Sequence, residues 1–167
     1  MSNPQNENTL NIKKMNKDKI EEVVELISIS MNKNEGEWAR KTINFHFFSQ
    51  ENKQDDGRQY FIACINGETV GIVGIHTYIW GSPHTTWLGW FAVNPKYQGL
   101  KIGYNMMLYI EDYAVKSGFK RLLVETYTTD DFEKARKFYE SYGFMKVGGI
   151  EDYLDKGQHM VVFGKTL

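Results

Sequence analysis

The stretch "VNPKYQGLKIGYNMM", Val93–Met107, constrains the fold more than any other part of this chain. Before it, the apolar run "TWLGWFAV" (Thr86–Val93) reads as a strand. After the Gly-bearing turn comes "IGYNMMLYIEDYAVKSG", whose apolar residues recur at helical spacing and which Gly118 closes. "KRLLVETY" then reads as a strand again. Strand, helix and strand in that order bring the two strands together in parallel through a right-handed crossover. Hairpins lie on either side of it. "QYFIACING" ends at Asn66-Gly67, a two-residue turn signal, and "ETVGIVGIHTYIW" (Glu68–Trp80) is the return strand. "GSPHT" turns the chain into the next strand. "FMKVGGIEDYL" and "HMVVFGKTL" form a closing hairpin around "DKG". One parallel crossover among hairpins predicts a mixed, mostly antiparallel sheet.

The remaining segments complete the order. "LNIKKM" (Leu10–Met15) alternates as a first strand. "NKDKIEEVVELISISMN" places Ile20, Val23, Val24, Ile27 and Met31 on one helical face, with Asp18 available as a cap. "GEWARKTINFHFF" carries Trp38, Ile43, Phe47 and Phe48 as a second helix, and "SQENKQDDGR" is a polar loop. "TDDFEKARKFYESYG" is the last helix, with Thr129 or Asp130 to cap it and Gly143 to end it. The fold class is α/β of the α+β type: a single domain with a six- to seven-stranded sheet and helices on both faces. Residues 1–8 are read as a flexible polar lead-in and residues 9–167 as the domain.

Composition narrows the function. The chain has 167 residues, 41% hydrophobic and 25% charged, an ordinary balance for one core. Its net charge of -1 gives no footprint for duplex nucleic acid or an anionic membrane surface. No apolar run approaches a membrane span, and the polar start carries no signal-peptide core. Cys64 is the only cysteine, so an intrachain disulfide and a multi-cysteine metal site are excluded. A cytoplasmic location is expected. His46, His76, His84 and His159 are scattered, with no metal-ligand spacing. No metal is expected.

The Val93–Met107 stretch has chemistry of its own. The first N–H groups of a helix lack intrahelical acceptors and carry the positive end of its dipole. Gly99 and Gly103 let the backbone approach a bulky anion. This arrangement suits a phosphate or pyrophosphate held by backbone amides. The stretch has no Gly-Lys-Ser/Thr, which argues against ATP or GTP. It also lacks the Gly-x-Gly-x-x-Gly of a dinucleotide fold.

These residues resemble the acyl-CoA-binding motif of the GNAT superfamily of N-acetyltransferases. That motif reads Val-x-Pro-x-(Tyr/Phe)-(Gln/Arg)-x-x-Gly-x-(Gly/Ala). Val93, Pro95, Tyr97, Gln98 and Gly103 stand at its positions, and Lys101 replaces its central glycine. "ARKFYESYGF" (Ala135–Phe144) is similar to the family's second signature, Ala-x-x-x-Tyr-(Glu)-x-x-Gly-Phe. The resemblance extends over nearly the whole chain and implies acetyl-CoA as donor. Its pyrophosphate would rest on the amides of Gln98, Gly99, Leu100, Lys101, Ile102, Gly103 and Tyr104. Its pantetheine arm would run beside Phe91, Ala92 and Val93. Many members place an asparagine where this chain has Phe132, so its bond to pantetheine is missing here or comes from Asp131 or Thr128.

Acyl transfer to an amine needs a neutral amine and a proton for the departing thiolate. The resemblance implies that Tyr139 supplies the proton; the alternative is a core tyrosine on an amphipathic helix. Glu125, in the strand after the CoA helix, is the candidate base, acting through water; the alternative is an ordinary strand glutamate. Cys64 reads as a small core residue. "WGSPHTTWLGW" reads as cross-strand aromatic packing, the alternative being a platform for substrate. Glu125, Asp130, Asp131, Glu151, Asp152 and Asp155 would favour a cationic acceptor, on a small molecule or a peptide. A solvated charged surface explains them equally. Exposed apolar residues in the last hairpin permit a homodimer. A second reading is a CoA-binding sensor or assembly module without catalysis.

Overall fold

The computed structural model describes residues 9–167; the lead-in expected over residues 1–8 lies outside them. The elements run β1 (Asn11–Lys14), α1 (Ile20–Ser30), α2 (Lys33–Glu51), β2 (Arg58–Ile65), β3 (Glu68–His76), β4 (Thr85–Val93), α3 (Ile102–Lys116), β5 (Arg121–Tyr127), α4 (Glu133–Tyr142), β6 (Met145–Asp155) and β7 (Gln158–Thr166). The strands form one seven-stranded sheet in the order β1-β2-β3-β4-β5-β7-β6. The β4–β5 pair is parallel, from Thr85↔Arg121 to Trp87↔Leu123, as the crossover requires. The β1–β2, β5–β7 and β6–β7 pairs are antiparallel.

Contacts divide the chain into two compact units, one holding residues 9–74 and 90–109, the other Ile75–Gly89 and Ile110–Leu167. In the first, strand alternation decides which helix meets which face. Tyr60, Ile62 and Cys64 of β2 join Val23, Ile27, Ala39 and Ile43 of α1 and α2 in one core. On the opposite side, Phe61 meets Tyr109 of α3 edge-on, ring centroids 5.1 Å apart. Gly71 lies there too; a Cβ on it would come within 2.5 Å of the Met106 sulfur. Helices therefore flank both faces, and Cys64 is buried as a core residue.

In the second unit α3 and α4 both meet one side of β7. Tyr139 of α4 packs on Phe144 and Phe163. Glu111 of α3 accepts from Lys165 Nζ at 2.6 Å and from Tyr142 Oη at 3.0 Å. Each helix stops where a left-handed residue turns the chain: Gly118 has φ 90° and Gly143 has φ 106°.

Several local expectations need correction. Asp18 makes no cap; it sits inside a 3-10 turn, Lys17–Lys19, whose backbone leads into α1. Neither Thr129 nor Asp130 makes a side-chain cap bond, because a 3-10 turn, Asp130–Phe132, again precedes the helix. The loop expected from Ser49 to Arg58 is shorter, since α2 runs on to Glu51 and β2 already includes Arg58. Helix α2 also starts earlier than expected, because the Asn32 side chain accepts the Glu35 N–H at 2.9 Å. The return strand ends at His76, not Trp80; Gly81 N–H bonds the Tyr78 carbonyl at 2.9 Å and closes a turn there.

Candidate active site

The first unit holds the anion cradle. Strand β4 is held at its end where Asn94 N–H donates to the Val70 carbonyl at 2.8 Å, and the Ser30 hydroxyl, which donates to the Leu26 carbonyl at 2.6 Å, lies 3.1 Å from the Val93 carbonyl. The Asn94 side chain then accepts the Lys96 N–H at 3.0 Å, which shapes the 3-10 turn Pro95–Tyr97. Gln98 N–H bonds the Pro95 carbonyl at 3.3 Å. Two residues of the following turn are left-handed, Gly99 at φ 85° and Lys101 at φ 56°. A Cβ on Gly99 would meet nothing within 4 Å, so the positive φ, not crowding, is what glycine serves there. Helical bonding begins when Asn105 N–H reaches the Lys101 carbonyl at 3.0 Å. The start of α3 lies just ahead of it, where the positive end of the helix dipole is presented.

Side chains around this turn divide by role. Ile102 is buried and anchors α3, while Gln98, Gly99, Leu100, Lys101 and Tyr104 are exposed and Gly103 is half-buried. Phe91 and Val93 are half-buried and Ala92 is buried. Tyr97, invisible as a structural residue in the sequence, donates its hydroxyl to Glu68 at 2.7 Å and ties the turn to β3. Left-handed residues followed by a helix start form a concave group of N–H donors suited to an anion.

Tyr139, Glu125, Asp131 and Phe132 lie in the second unit. Tyr139 is buried against Phe138, Phe144 and Phe163. Burial raises its phenol above the ordinary tyrosine range, so the proton stays on the oxygen. Glu125 is exposed on β5, yet the protein around it raises its carboxyl above the ordinary glutamate range by desolvation. Phe132 meets Tyr127 edge-on at 5.2 Å, and Asp131 is exposed beside it. The Thr128 hydroxyl accepts the His159 N–H at 2.9 Å.

Sequence reasoning missed Arg136. Its guanidinium donates to the carbonyls of Tyr127 and Thr129 and so fixes the segment before α4. Its place within "ARKFYESYGF" was the available signal. The acidic residues of the last hairpin turn out to be partly engaged. The Asp152 carboxylate accepts the Gly157 N–H at 2.8 Å, and Asp155 accepts the Lys156 N–H at 2.7 Å. Among the described residues no group of three or more His, Cys, Asp or Glu is arranged to hold a metal ion. No helix among them is long and apolar enough to cross a membrane.

Comparison with known proteins bears on this geometry. A family model described as the Acetyltransferase (GNAT) family matches residues 20–144. Solved structures with the same fold include a GNAT-family acetyltransferase from Desulfovibrio desulfuricans, at TM-score 0.85 and 16% identity, over 95% of this chain and 99% of that one. An aminoglycoside 6'-N-acetyltransferase complexed with coenzyme A aligns at TM-score 0.75 and 16% identity, over 93% and 96% of the two chains. The ribosomal-protein-S18-alanine N-acetyltransferase from Escherichia coli aligns at TM-score 0.72 and 17% identity, over 95% and 94%. At such identities the structural likeness speaks for the fold. A search of curated proteins found no match.

Proposed function

This chain belongs to the acetyltransferase (GNAT) family, and from that premise we propose that it moves an acetyl group from acetyl-CoA by direct attack of a primary amine, borne by a small molecule or a peptide. Residues 9–167 act as one acetyltransferase domain in this reading. The observation that carries it is the pair of left-handed residues, Gly99 and Lys101, at the start of α3, inside the span that the family model matches. The turn from Gln98 to Tyr104 holds the pyrophosphate through its amides, apart from the Gln98 N–H, which the Pro95 carbonyl engages. Phe91, Ala92 and Val93 guide the pantetheine arm. Asp131 and Phe132 flank it, with the Asp131 carboxylate or the Thr128 hydroxyl in place of the family's asparagine.

Acetyl-CoA supplies the activated thioester when bound. Two side chains handle the protons. Glu125 takes the proton from the incoming ammonium, directly or through one water, and a carboxyl raised toward neutrality is the better base for this. Tyr139 keeps its proton until a thiolate needs it, since burial disfavours the phenolate. Transfer from bound donor to bound amine then needs neither a covalent enzyme intermediate nor a metal ligand set.

The test is Tyr139→Phe with thiol release as readout. The expected result is a kcat reduced by about tenfold to several hundredfold with little change in acetyl-CoA KM, the size usual for losing a general acid. An unchanged kcat removes Tyr139 from the mechanism. Acetyl-CoA binding without turnover on any amine returns the chain to the role of a CoA-binding sensor or assembly module.

A further inference from the structure

In the second unit the contacts of α3 and α4 with the strands fall on one side of the sheet, and the other side presents a second face. Pairing register assigns it: Arg121, Leu123, Glu125 and Tyr127 of β5 share it with Thr166, Gly164, Val162 and Met160 of β7. Met145, Gly148 and Ile150 of β6 join them. Trp87, paired with Leu123 in the parallel ladder, continues it onto β4. The helix-bearing side is the other one, where Phe163 meets Tyr139 and Lys165 meets Glu111.

This face is apolar with a carboxylate in its middle. Val162 stands directly opposite Glu125, and Leu123 and Tyr127 flank it along the strand. Gly164 leaves room for Leu123 and Val147 to close over it; a Cβ there would sit 2.9 Å and 3.2 Å from them. Ile150 is 50% exposed and Met145 72% exposed. Aromatic rings bound the face at two ends. Trp87 stacks on His76 and meets Tyr78 edge-on, and Tyr78 stacks on Trp80. At the other end Tyr153 stacks on Tyr127, centroids 6.0 Å apart and rings within 15°.

The Glu125 carboxylate has no hydrogen-bond or ion-pair partner among the described residues. The nearest cation by register on its face is Arg121, four residues along the strand and so about 13 Å away. A lone carboxylate on an apolar surface lacks the counter-charge it would ordinarily find. The carboxylates of the β6–β7 tip are tied to their own turn, where Asp152 and Asp155 accept the N–H groups of Gly157 and Lys156, and none of the residues that pairing places beside Glu125 on this face is acidic. One negative charge ringed by apolar and aromatic surface complements one cation attached to an apolar body. It does not complement a polycation.

We propose that this face seats the acceptor, and that the acceptor is a monoamine with an apolar or aromatic body, its amine at Glu125 and its body against Leu123, Tyr127, Val162, Ile150 and Trp87. The inference rests on the transferase reading above and names the substrate class for it. Glu125 is then both the anchor for the cation and the group that receives its proton.

Matched amines separate the possibilities. With acetyl-CoA and thiol release, 2-phenylethylamine is expected to exceed ethylamine in kcat/KM by at least about tenfold, the effect of burying one phenyl group. It is also expected to exceed spermidine. Ile150→Glu narrows the phenylethylamine-to-ethylamine ratio. By calorimetry, Glu125→Gln weakens 2-phenylethylamine binding by about tenfold, a readout that does not depend on turnover. Equal kcat/KM for the two monoamines, or a preference for spermidine, overturns this inference and leaves the transferase reading standing. Failure of every amine to release thiol, with acetyl-CoA bound, defeats the transferase reading and this inference together. A concentration-dependent dimer that Ile150→Glu dissolves assigns the face to a second copy of the chain and overturns the proposal.

Discussion

Lys101 holds a backbone shape that glycine adopts more cheaply. Its φ of 56° costs an L-residue about 1–2 kcal/mol, part of which glycine returns as extra chain entropy on unfolding. Lys101→Gly is therefore expected to raise stability by up to about 1 kcal/mol in urea titration. Its acetyl-CoA Kd reports separately on the ammonium: weaker binding means a phosphate contact, and unchanged binding means a solvated side chain. The family pattern marked this residue as a departure, but a dihedral angle is not written in a motif, so the cause was hidden until the backbone was seen. Glu125 carries the opposite lesson. Strand alternation placed it on a face with Leu123 and Tyr127, but only the β5–β7 register shows that Val162 stands opposite. Its carboxyl is raised by desolvation, so its contribution to stability falls as pH climbs through the folded-state value. Glu125→Gln should raise Tm at pH 8 by more than at pH 4. The reverse order would show that the carboxylate has a stabilising partner.

At the scale of elements, the join between α2 and β2 rests on one buried carboxylate. Asp56 accepts from His46 Nδ1 at 2.8 Å and from Arg58 through its guanidinium at 3.2 Å and its backbone N–H at 3.2 Å. His46 sits edge-on to Phe47 and to Tyr60, whose phenol burial pushes up to about 12. Desolvation raises the Asp56 carboxyl, but the bonds from His46 and Arg58 outweigh it and leave it below the ordinary aspartate range. This stabilisation is present above the unfolded value of about 3.9 and is lost as pH falls through the folded one. Asp56→Asn should cost about 1–3 kcal/mol at pH 7. The two urea midpoints should converge below about pH 4; a constant gap would point to packing in place of charge. The sequence offered "SQENKQDDGR" only as a polar loop, since nothing local shows that one of its two aspartates turns inward to a histidine ten residues back. Most helices and strands were legible because their periodicity is local. Their starts were not, because 3-10 turns replaced the expected side-chain caps before α1 and α4.

For the whole molecule, acetyl-CoA binding is a stability statement. At 100 times Kd the ligand adds about 2.7 kcal/mol, which for a chain of this size is a Tm rise of about 5–10 °C. A thermal shift measured against free acetate and adenine tests donor recognition without any acceptor; no shift at saturating acetyl-CoA would remove the CoA reading. The mixed sheet was legible because a single strand–helix–strand segment interrupts a run of hairpins. The insertion of β7 between β5 and β6 was not, because hairpin order in the chain does not say which strand of the pair faces inward.

The division of contacts has a consequence for how such a chain diversifies. The backbone assigned to the donor's pyrophosphate, from Gln98 to Tyr104, belongs to one compact unit, and the residues assigned to the acceptor, Trp87, Leu123, Glu125, Tyr127, Ile150 and Val162, belong to the other. On these assignments, substitutions at Ile150 or Val162 alter what is acetylated and leave the backbone amides that hold the donor's pyrophosphate untouched. Acceptor choice is then a trait that can drift by single codons, whereas donor choice is held by backbone angles that few codons can reproduce.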